Sequence, residues 1–489
     1  MQDRFLLILD EGTTSTRAML YTQSGDLFDV SQAELTQYYP APGWVEHDAE
    51  EIWQKTLTCA REMVARAGGA DHIAALGITN QRETVVAWDR RSGQPVGRAI
   101  VWQDHRTEEA CLALREAGRE PEIRAKTGLM LDPYFSASKM RWLLDNRPEA
   151  TALGSHLALG TVESWLVWKL TGGLHISDAS NASRTMLLTL TGKSWDDDLL
   201  DIFGIARHLL PEIVDNSGHF GNTLPALLGA PIPICGLCGD QQAATIGQGC
   251  LAPGQVKATL GTGAFVLANT GSEVPKSHNR LLATILAQES GKRTYALEGS
   301  VFVAGNLLKW LRDQLGIIGI AAESESLAKS VPDNGGVCIV PAFSGLGAPY
   351  WRSDVRGMIS GLSHGTGRAH IARAALEAMA HQLHDLKHAF GEDGVRWELL
   401  HIDGGMSAND WLAQDLADIL DLRVERPQNI ETTSLGVAML TSVGCGMRAS
   451  LAEASQMRKQ ASTFRPAMTP EDRQCRLDLW QSAIGRLLT

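Results

Sequence analysis

FLLILDEGTTSTRAMLY, Phe5 to Tyr21, sets an acid, a glycine–hydroxyl turn and an arginine between two apolar runs. Phe5–Asp10 and Ala18–Tyr21 read as two strands of a hairpin around Gly12-Thr13-Thr14. About half the chain later, VKATLGTGAFVLANTG, Val256 to Gly271, repeats the outline around Gly261-Thr262-Gly263. A third glycine turn, in HIDGGMSAND (His401 to Asp410), follows the apolar run Leu399–Ile402 and precedes a helix. Two similar α/β domains meeting at a cleft are expected, each contributing one turn. Their boundary is expected in GQGCLAPG, Gly247 to Gly254, where turn residues cluster, dividing the chain into 1–249 and 250–489.

The segments between these turns alternate in type, which also points to α/β architecture. DAEEIW opens a helix over Asp48–Ala67 with an aspartate cap and early acids. His72–Thr79 and Thr84–Trp88 read as strands, Ser138–Asp145 has helical spacing, and Pro233–Leu237 is a short apolar run before a helix from Gln241.

The chain has 489 residues, more than one hydrophobic core usually serves, so two domains are the default. It is 44% hydrophobic and 20% charged, the composition of a globular protein. Its formal net charge of -12 argues against non-specific nucleic-acid binding. There is no apolar stretch long enough to span a bilayer, and the Phe5–Leu9 run is too short for a signal peptide. Scattered cysteines fit free thiols in a reducing cytoplasm. Cys235 and Cys238, in CGLC, have C-x-x-C spacing, open to a redox or zinc role or to small buried thiols beside a glycine turn.

A Gly-Thr-Thr or Gly-Thr-Gly turn between strands aims backbone N–H groups and hydroxyls one way, forming an anion nest for phosphate without the lysine of a P-loop. Asp10, at the end of its strand, would repel a phosphate unless a cation lay between them, and Mg²⁺ bound by carboxylate and phosphate oxygens supplies one. Arg17 adds a charge-assisted contact to a transferring phosphoryl group. The bland alternative makes Asp10 a turn cap and Arg17 a surface charge. Asp240 follows an apolar strand and a glycine; it suits a base for a substrate hydroxyl or a helix N-cap, and the two roles are compatible. Arg82, Glu83, Trp102 and Tyr134 interrupt apolar surroundings and suit a small polyhydroxy ligand, with aromatic rings over its C–H face.

These motifs resemble the FGGY carbohydrate kinases, nearly end to end, from LDEGTTSTR to TSLGVAMLTSVG (Thr433 to Gly444). YFSASKMRWLLDN, Tyr134 to Asn146, and GMISGLSHGTGRAHIARAALE, Gly357 to Glu377, are similar to that family's two signatures. The resemblance implies two actin/hexokinase-like (ribonuclease H-like) domains, each a mixed sheet flanked by helices, closing over ATP and substrate. It further implies ATP/ADP and Mg²⁺ as cofactors, a small polyol substrate, and a homo-oligomer, dimer or tetramer.

Within the family, the pocket phrases and NASRTML (Asn181 to Leu187) are most similar to those of members that phosphorylate glycerol. Carried over residue by residue, Arg82, Glu83 and Tyr134 are implied hydroxyl ligands, and Trp102 and Phe265 the apolar wall. Asp240 is the implied base, with Gln241 beside it. Thr13, Thr14, Ser15 and Arg17 match the first phosphate loop, Thr262 the second, and Gly305, Gly405 and Asn409 positions around ADP. Glu11 stands where a glutamine is usual, His105 where an arginine is, Glu163 where an aspartate is, and Lys309 where a glutamine is; the CGLC cysteines replace small residues. Rival readings are a kinase for erythritol, threitol or xylulose, an actin- or chaperone-like ATPase, and a catalytically silent sensor of the same fold.

Overall fold

The opening hairpin forms as strands β1 (Phe5–Glu11) and β2 (Ser15–Tyr21), paired antiparallel with Asp10 opposite Arg17 and Glu11 opposite Thr16. In this computed structural model, residues 4–343, 345–352 and 354–489 are described, apart from the side chains at 460 and 461. Strand β3 (Leu27–Glu34) pairs antiparallel with β2. Helix α1 (Ala49–Arg66) begins where the Asp48 carboxylate accepts from the Glu50 and Glu51 amides, and Glu50 and Glu51 complement the helix dipole. Its apolar stripe, including Ile52, Trp53, Ala60 and Met63, is buried. Strand β4 (Ile73–Asn80) is buried on both faces and runs parallel to β1, as near-continuous apolar sequence requires.

Helix α2 (Ser136–Asn146), strand β5 (Ser217–Asn222) and strand β6 (Pro233–Gly239) follow, and the first mixed sheet has the order β5-β6-β4-β1-β2-β3. Helix α3 (Asp240–Gly247) starts directly at the end of β6, so Asp240 lies at the carboxyl edge of the sheet.

The second half repeats the pattern. Strands β7 (Gln255–Leu260), β8 (Ala264–Gly271), β9 (Leu282–Glu289) and β10 (Lys292–Val301) precede helices α4 (Gly305–Asp313) and α5 (Arg368–Glu392). Then come β11 (Leu399–Asp403), α6 (Asp410–Leu420), β12 (Val424–Pro427), α7 (Thr432–Gly444), β13 (Gln460–Phe464) and α8 (Pro470–Leu488). The second sheet has the order β9-β10-β8-β7-β11-β12-β13. β7 is antiparallel to β8 and parallel to β11, just as β1 is antiparallel to β2 and parallel to β4. The repeated strand–turn–strand motif therefore marks a repeated topology, and the fold is a two-domain α/β architecture with mixed sheets flanked by helices.

Helix α7 belongs to the second half in sequence but packs on the first sheet. A Cβ on Gly77 of β4 would lie 2.1 Å from Thr441 Oγ1, and one on Gly236 of β6 would lie 2.4 Å from the same atom. Where α3 and α7 cross, a Cβ on Gly436 would sit 1.9 Å from Ala243 O, and one on Gly247 would sit 1.9 Å from Thr432 O. Two glycines are thus what lets these helices meet backbone to backbone. No helix among the described residues is long and apolar enough to cross a membrane.

Candidate active site

Eight residues from both halves of the chain line one cleft: Thr13, Arg82, Glu83, Trp102, Tyr134, Asp240, Gln241 and Phe265. All seven residues expected to bind substrate are among them. They come from distant parts of the chain. Arg82 and Glu83 follow the end of β4, Trp102 and Tyr134 lie on connecting segments, Asp240 and Gln241 open α3, and Phe265 is on β8. Trp102 and Tyr134 meet edge to face with centroids 5.6 Å apart, and the Trp102 indole N–H donates to Thr13 Oγ1 at 3.0 Å. That bond ties the apolar wall to the first turn. Glu83 holds a left-handed φ of 65°, a strained conformation for a non-glycine residue and one that persists only where its surroundings fix it.

The surroundings are a buried network of charges. Arg82 donates to both Glu298 oxygens, at 2.7 and 3.1 Å, and its Nε lies 3.3 Å from Asp240 Oδ1. Arg184 donates from Nε to Glu83 at 2.6 Å and from Nη2 to Glu298 at 3.2 Å. Burial would push the Glu298 carboxyl up, but the guanidiniums of Arg184 and Arg82 hold it down at about 2. For Asp240 burial prevails over the nearby Arg82 charge and raises its proton affinity; the side chain is 31% exposed, toward the cleft. A cleft carboxylate with raised proton affinity is suited to accept a proton from a hydroxyl. Asp240 also accepts from the Gln241 amide at 2.7 Å at the first turn of α3. Lys257, fully buried, donates to Gln241 Oε1 at 2.7 Å and Thr259 Oγ1 at 2.9 Å.

In the first turn, Arg17 bridges two carboxylates, Asp10 at 2.5 Å and Glu431, which precedes α7, at 2.6 Å. Burial raises Asp10 despite Arg17 beside it. The Gly12 amide is bonded within the turn to Ser15 O, Thr14 is exposed, and Ser15 Oγ accepts from Gln32. Glu11 does not share the cleft. One residue along a strand reverses the side-chain direction, so Glu11 points into the interior. There a single carboxylate oxygen accepts from Thr16 and from Thr56 of α1, and burial raises its carboxyl to about 8.

The second turn gathers the remaining expected residues. The Gly261 amide bonds to Gly263 O, the Gly305 amide donates to Gly261 O at 2.9 Å, and Thr262 is exposed at the tip. A Cβ on Gly404 would lie 2.7 Å from Leu260 O, and one on Gly305 would lie 3.2 Å from Met406 Cγ. Gly405 therefore stands beside the second turn, and its own Cβ position is open. Asn409 caps α6, accepting from the Leu412 amide at 2.9 Å.

Sequence reasoning missed Arg184, Glu298, Lys257 and Glu431. A signal existed for two of them, because Lys257 is the lone charge of its strand and Glu298 the lone charge of the apolar run Tyr295–Val301. Of the remaining departures, Glu163 is buried against Thr161 and Ser177, while Lys309 and His105 are exposed. Cys235 and Cys238 are free, buried thiols raised by burial, Cys235 to about 12. No group of three metal-ligating side chains occurs among the described residues.

Comparison with known proteins matches this arrangement. The N-terminal domain model of the FGGY family of carbohydrate kinases matches residues 5–247, and the C-terminal domain model matches 256–445. A glycerol kinase of Gluconobacter oxydans is 51% identical over 488 residues, covering 99% of this chain and 95% of the relative. One of Coxiella burnetii is 51% identical over 490 residues, covering 99% and 98%. The crystal structure of Plasmodium falciparum glycerol kinase with ADP superposes with a TM-score of 0.94 at 36% identity, covering 100% of this chain and 99% of the other. A gluconate kinase from Lactobacillus acidophilus, at 21% identity and a TM-score of 0.88, shares the fold. With both domain models matched in order and relatives of about half identity along nearly its whole length, the chain belongs to the FGGY family of carbohydrate kinases.

Proposed function

We propose that this protein transfers the terminal phosphoryl group of ATP to a hydroxyl of glycerol, giving sn-glycerol 3-phosphate and ADP. The observation that carries the reading is the cleft itself. It joins a charged hydroxyl clamp, Arg82, Glu83 and Tyr134, to an apolar wall, Trp102 and Phe265, with Asp240 and Gln241 at its edge. A triol offers that pocket hydroxyls for the clamp and C–H bonds for the wall. Glycerol kinases of about half identity over the whole chain support the same substrate.

Asp240 orients the attacking hydroxyl and takes its proton, a task its raised proton affinity favours. Arg82 and Glu83 fix the other hydroxyls, which holds the nucleophile in line. Arg17, with Thr13, Thr14 and Ser15 of the first turn, steadies charge on the phosphoryl oxygens. Thr262, Gly305, Gly405 and Asn409 receive the nucleotide on the side of the second sheet. Closure of the two domains excludes water and limits futile hydrolysis of ATP.

The residues fit magnesium that enters with the nucleotide rather than a resident ion. Asp10 offers hard oxygen beside the phosphate turn, and the described residues hold no protein-only cage. Bound there, the ion would neutralise phosphate charge. The connector between α3 and β7 supports a domain division at 249/250. Family resemblance supports a homo-oligomer of dimer or tetramer size and a cytoplasmic location; light scattering tests the first.

An ADP-release assay across glycerol, erythritol, threitol and xylulose tests the substrate. Glycerol is expected to give the highest kcat/KM. A four-carbon or five-carbon acceptor with a far higher value would overturn the assignment.

A further inference from the structure

Glu298 reaches the substrate cleft from the other domain. Lys257 on β7, Leu267 on β8 and Glu298 on β10 lie directly opposite one another across the second sheet, and Phe265 stands two residues from Leu267 on the same face. That face carries Phe265, Lys257 and Glu298 toward the first domain. Glu298 is fully buried, and both its oxygens are engaged, one by Arg82 and one by Arg82 and Arg184 together. Arg184 in turn grips Glu83 and lies 5.5 Å from the Tyr134 ring. Every side chain of the hydroxyl clamp is therefore tied, directly or through Arg184, to one carboxylate outside the pocket lining.

Arg82 is the shared member. Its terminal nitrogens go to Glu298, with Nη1 also donating to Gln242 Oε1 at 3.1 Å and Nη2 reaching the Tyr134 hydroxyl at 3.5 Å, while only Nε, at 3.3 Å, faces Asp240. Without the Glu298 charge, the carboxylates left beside that guanidinium are Asp240 and Glu83, the latter 3.8 Å from Nε. Arg82 would then turn its fork onto Asp240, because a bidentate pair is the strongest arrangement open to it.

We propose that Glu298 is a positioning residue that aligns Arg82 and, through Arg184, Glu83 for the acceptor hydroxyls, and that holds Arg82 off Asp240 so that Asp240 stays free to take a proton. The proposal deepens the kinase reading and rests on Asp240 as its base. It also makes the clamp complete only when the second sheet is seated against the first domain, which links acceptor binding to domain seating.

Glu298→Gln keeps the shape and removes the charge. The expected result is a rise of about 10-fold or more in the KM for glycerol, with the KM for ATP within about twofold. The acid limb of the kcat/KM profile is expected to move to lower pH by about one unit, because Asp240 becomes more tightly paired. Glu298→Gln combined with Arg184→Met restores the charge balance. Its thermal midpoint should recover while the glycerol KM stays high, since Arg82 is still unaligned and Glu83 has lost its Arg184 partner. If the single variant does not fold, the double variant carries the same kinetic readouts.

An unchanged glycerol KM and pH profile in a folded Glu298→Gln protein would overturn the proposal. So would recovery of both the midpoint and the glycerol KM in the double variant, which would mark a purely structural role. Asp240→Asn, measured alongside, separates the two layers. Undiminished turnover there would remove the base assignment, while the glycerol KM of Glu298→Gln would still test the alignment of Arg82.

Discussion

Asp10 and Arg17 stand directly opposite each other across the first hairpin, and Arg17 Nη2 lies 2.5 Å from Asp10 Oδ2. The pair exists because antiparallel partners share a face, and this face is the one that Glu431, just ahead of α7, approaches. Arg17 is one-quarter exposed while Asp10 is buried, and the arginine fork reaches a carboxylate on each side. Arg17→Lys keeps a charge but loses the fork that spans two carboxylates. It should lower kcat by about 10-fold or more with a thermal midpoint shift equivalent to less than about 1 kcal/mol. Steady-state kinetics and a melting curve check both.

The neighbouring acid behaves in the opposite way. Burial raises Glu11 to about 8, so between its unfolded value of 4.5 and about 8 the unfolded chain has released a proton that the folded chain still holds. Stability contributed by this position therefore falls as pH rises through that window. Glu11→Gln is neutral at every pH and retains an oxygen for Thr16 and Thr56. The variant should match the parent near pH 5 and exceed it at pH 8, by on the order of 2 kcal/mol. Melting curves at the two pH values test the sign, and an equal shift at both would sink the argument.

Lys139 is buried in α2 and donates to the backbone carbonyls of Pro133, Tyr134 and Phe135. It thereby fixes the segment that presents Tyr134 to the cleft. Lys139→Met would leave these carbonyls without their donor, costing about 1–3 kcal/mol per buried group left unsatisfied. The expected outcome is a lower melting point and a raised KM for glycerol with little change for ATP. Equal rises for both substrates would point to general loosening instead.

The crossing of α3 and α7 predicts an asymmetry among glycines. Gly436→Ala places a methyl 1.9 Å from a backbone oxygen of α3, an overpacking that costs about 1–3 kcal/mol or more. Gly485, in α8, has nothing within 4 Å of its Cβ position, so Gly485→Ala should be neutral or stabilise by up to about 1 kcal/mol. Thermal denaturation of the two variants compares them directly.

Much of the fold was legible because its signals are local. The Asp48 cap, the doubled strand–turn–strand and the apolar run over β4 all depend on residues a few positions apart. The expected pocket residues were legible for a different reason, since each interrupts apolar sequence or matches a family phrase. Glu298 and Arg184 were not, because nothing near Glu298 in sequence says that an arginine more than 200 positions earlier will meet it. The packing of α7 on the first sheet was equally hidden, since a helix following β12 gives no local sign that it returns to the other domain.

By itself, the sequence determined that an acid and an arginine flank a glycine–hydroxyl turn, that the strand–turn–strand outline recurs, and which side chains interrupt the apolar runs. Only the tertiary structure decided which acid serves which side. Asp10 and Glu11 are adjacent and chemically alike, yet strand alternation sends Asp10 to Arg17 and Glu11 into the core, and the pairing of β1 with β2 fixes that choice. The same holds for Glu298, whose partners are set by how two sheets face each other, a relationship that local spacing does not encode.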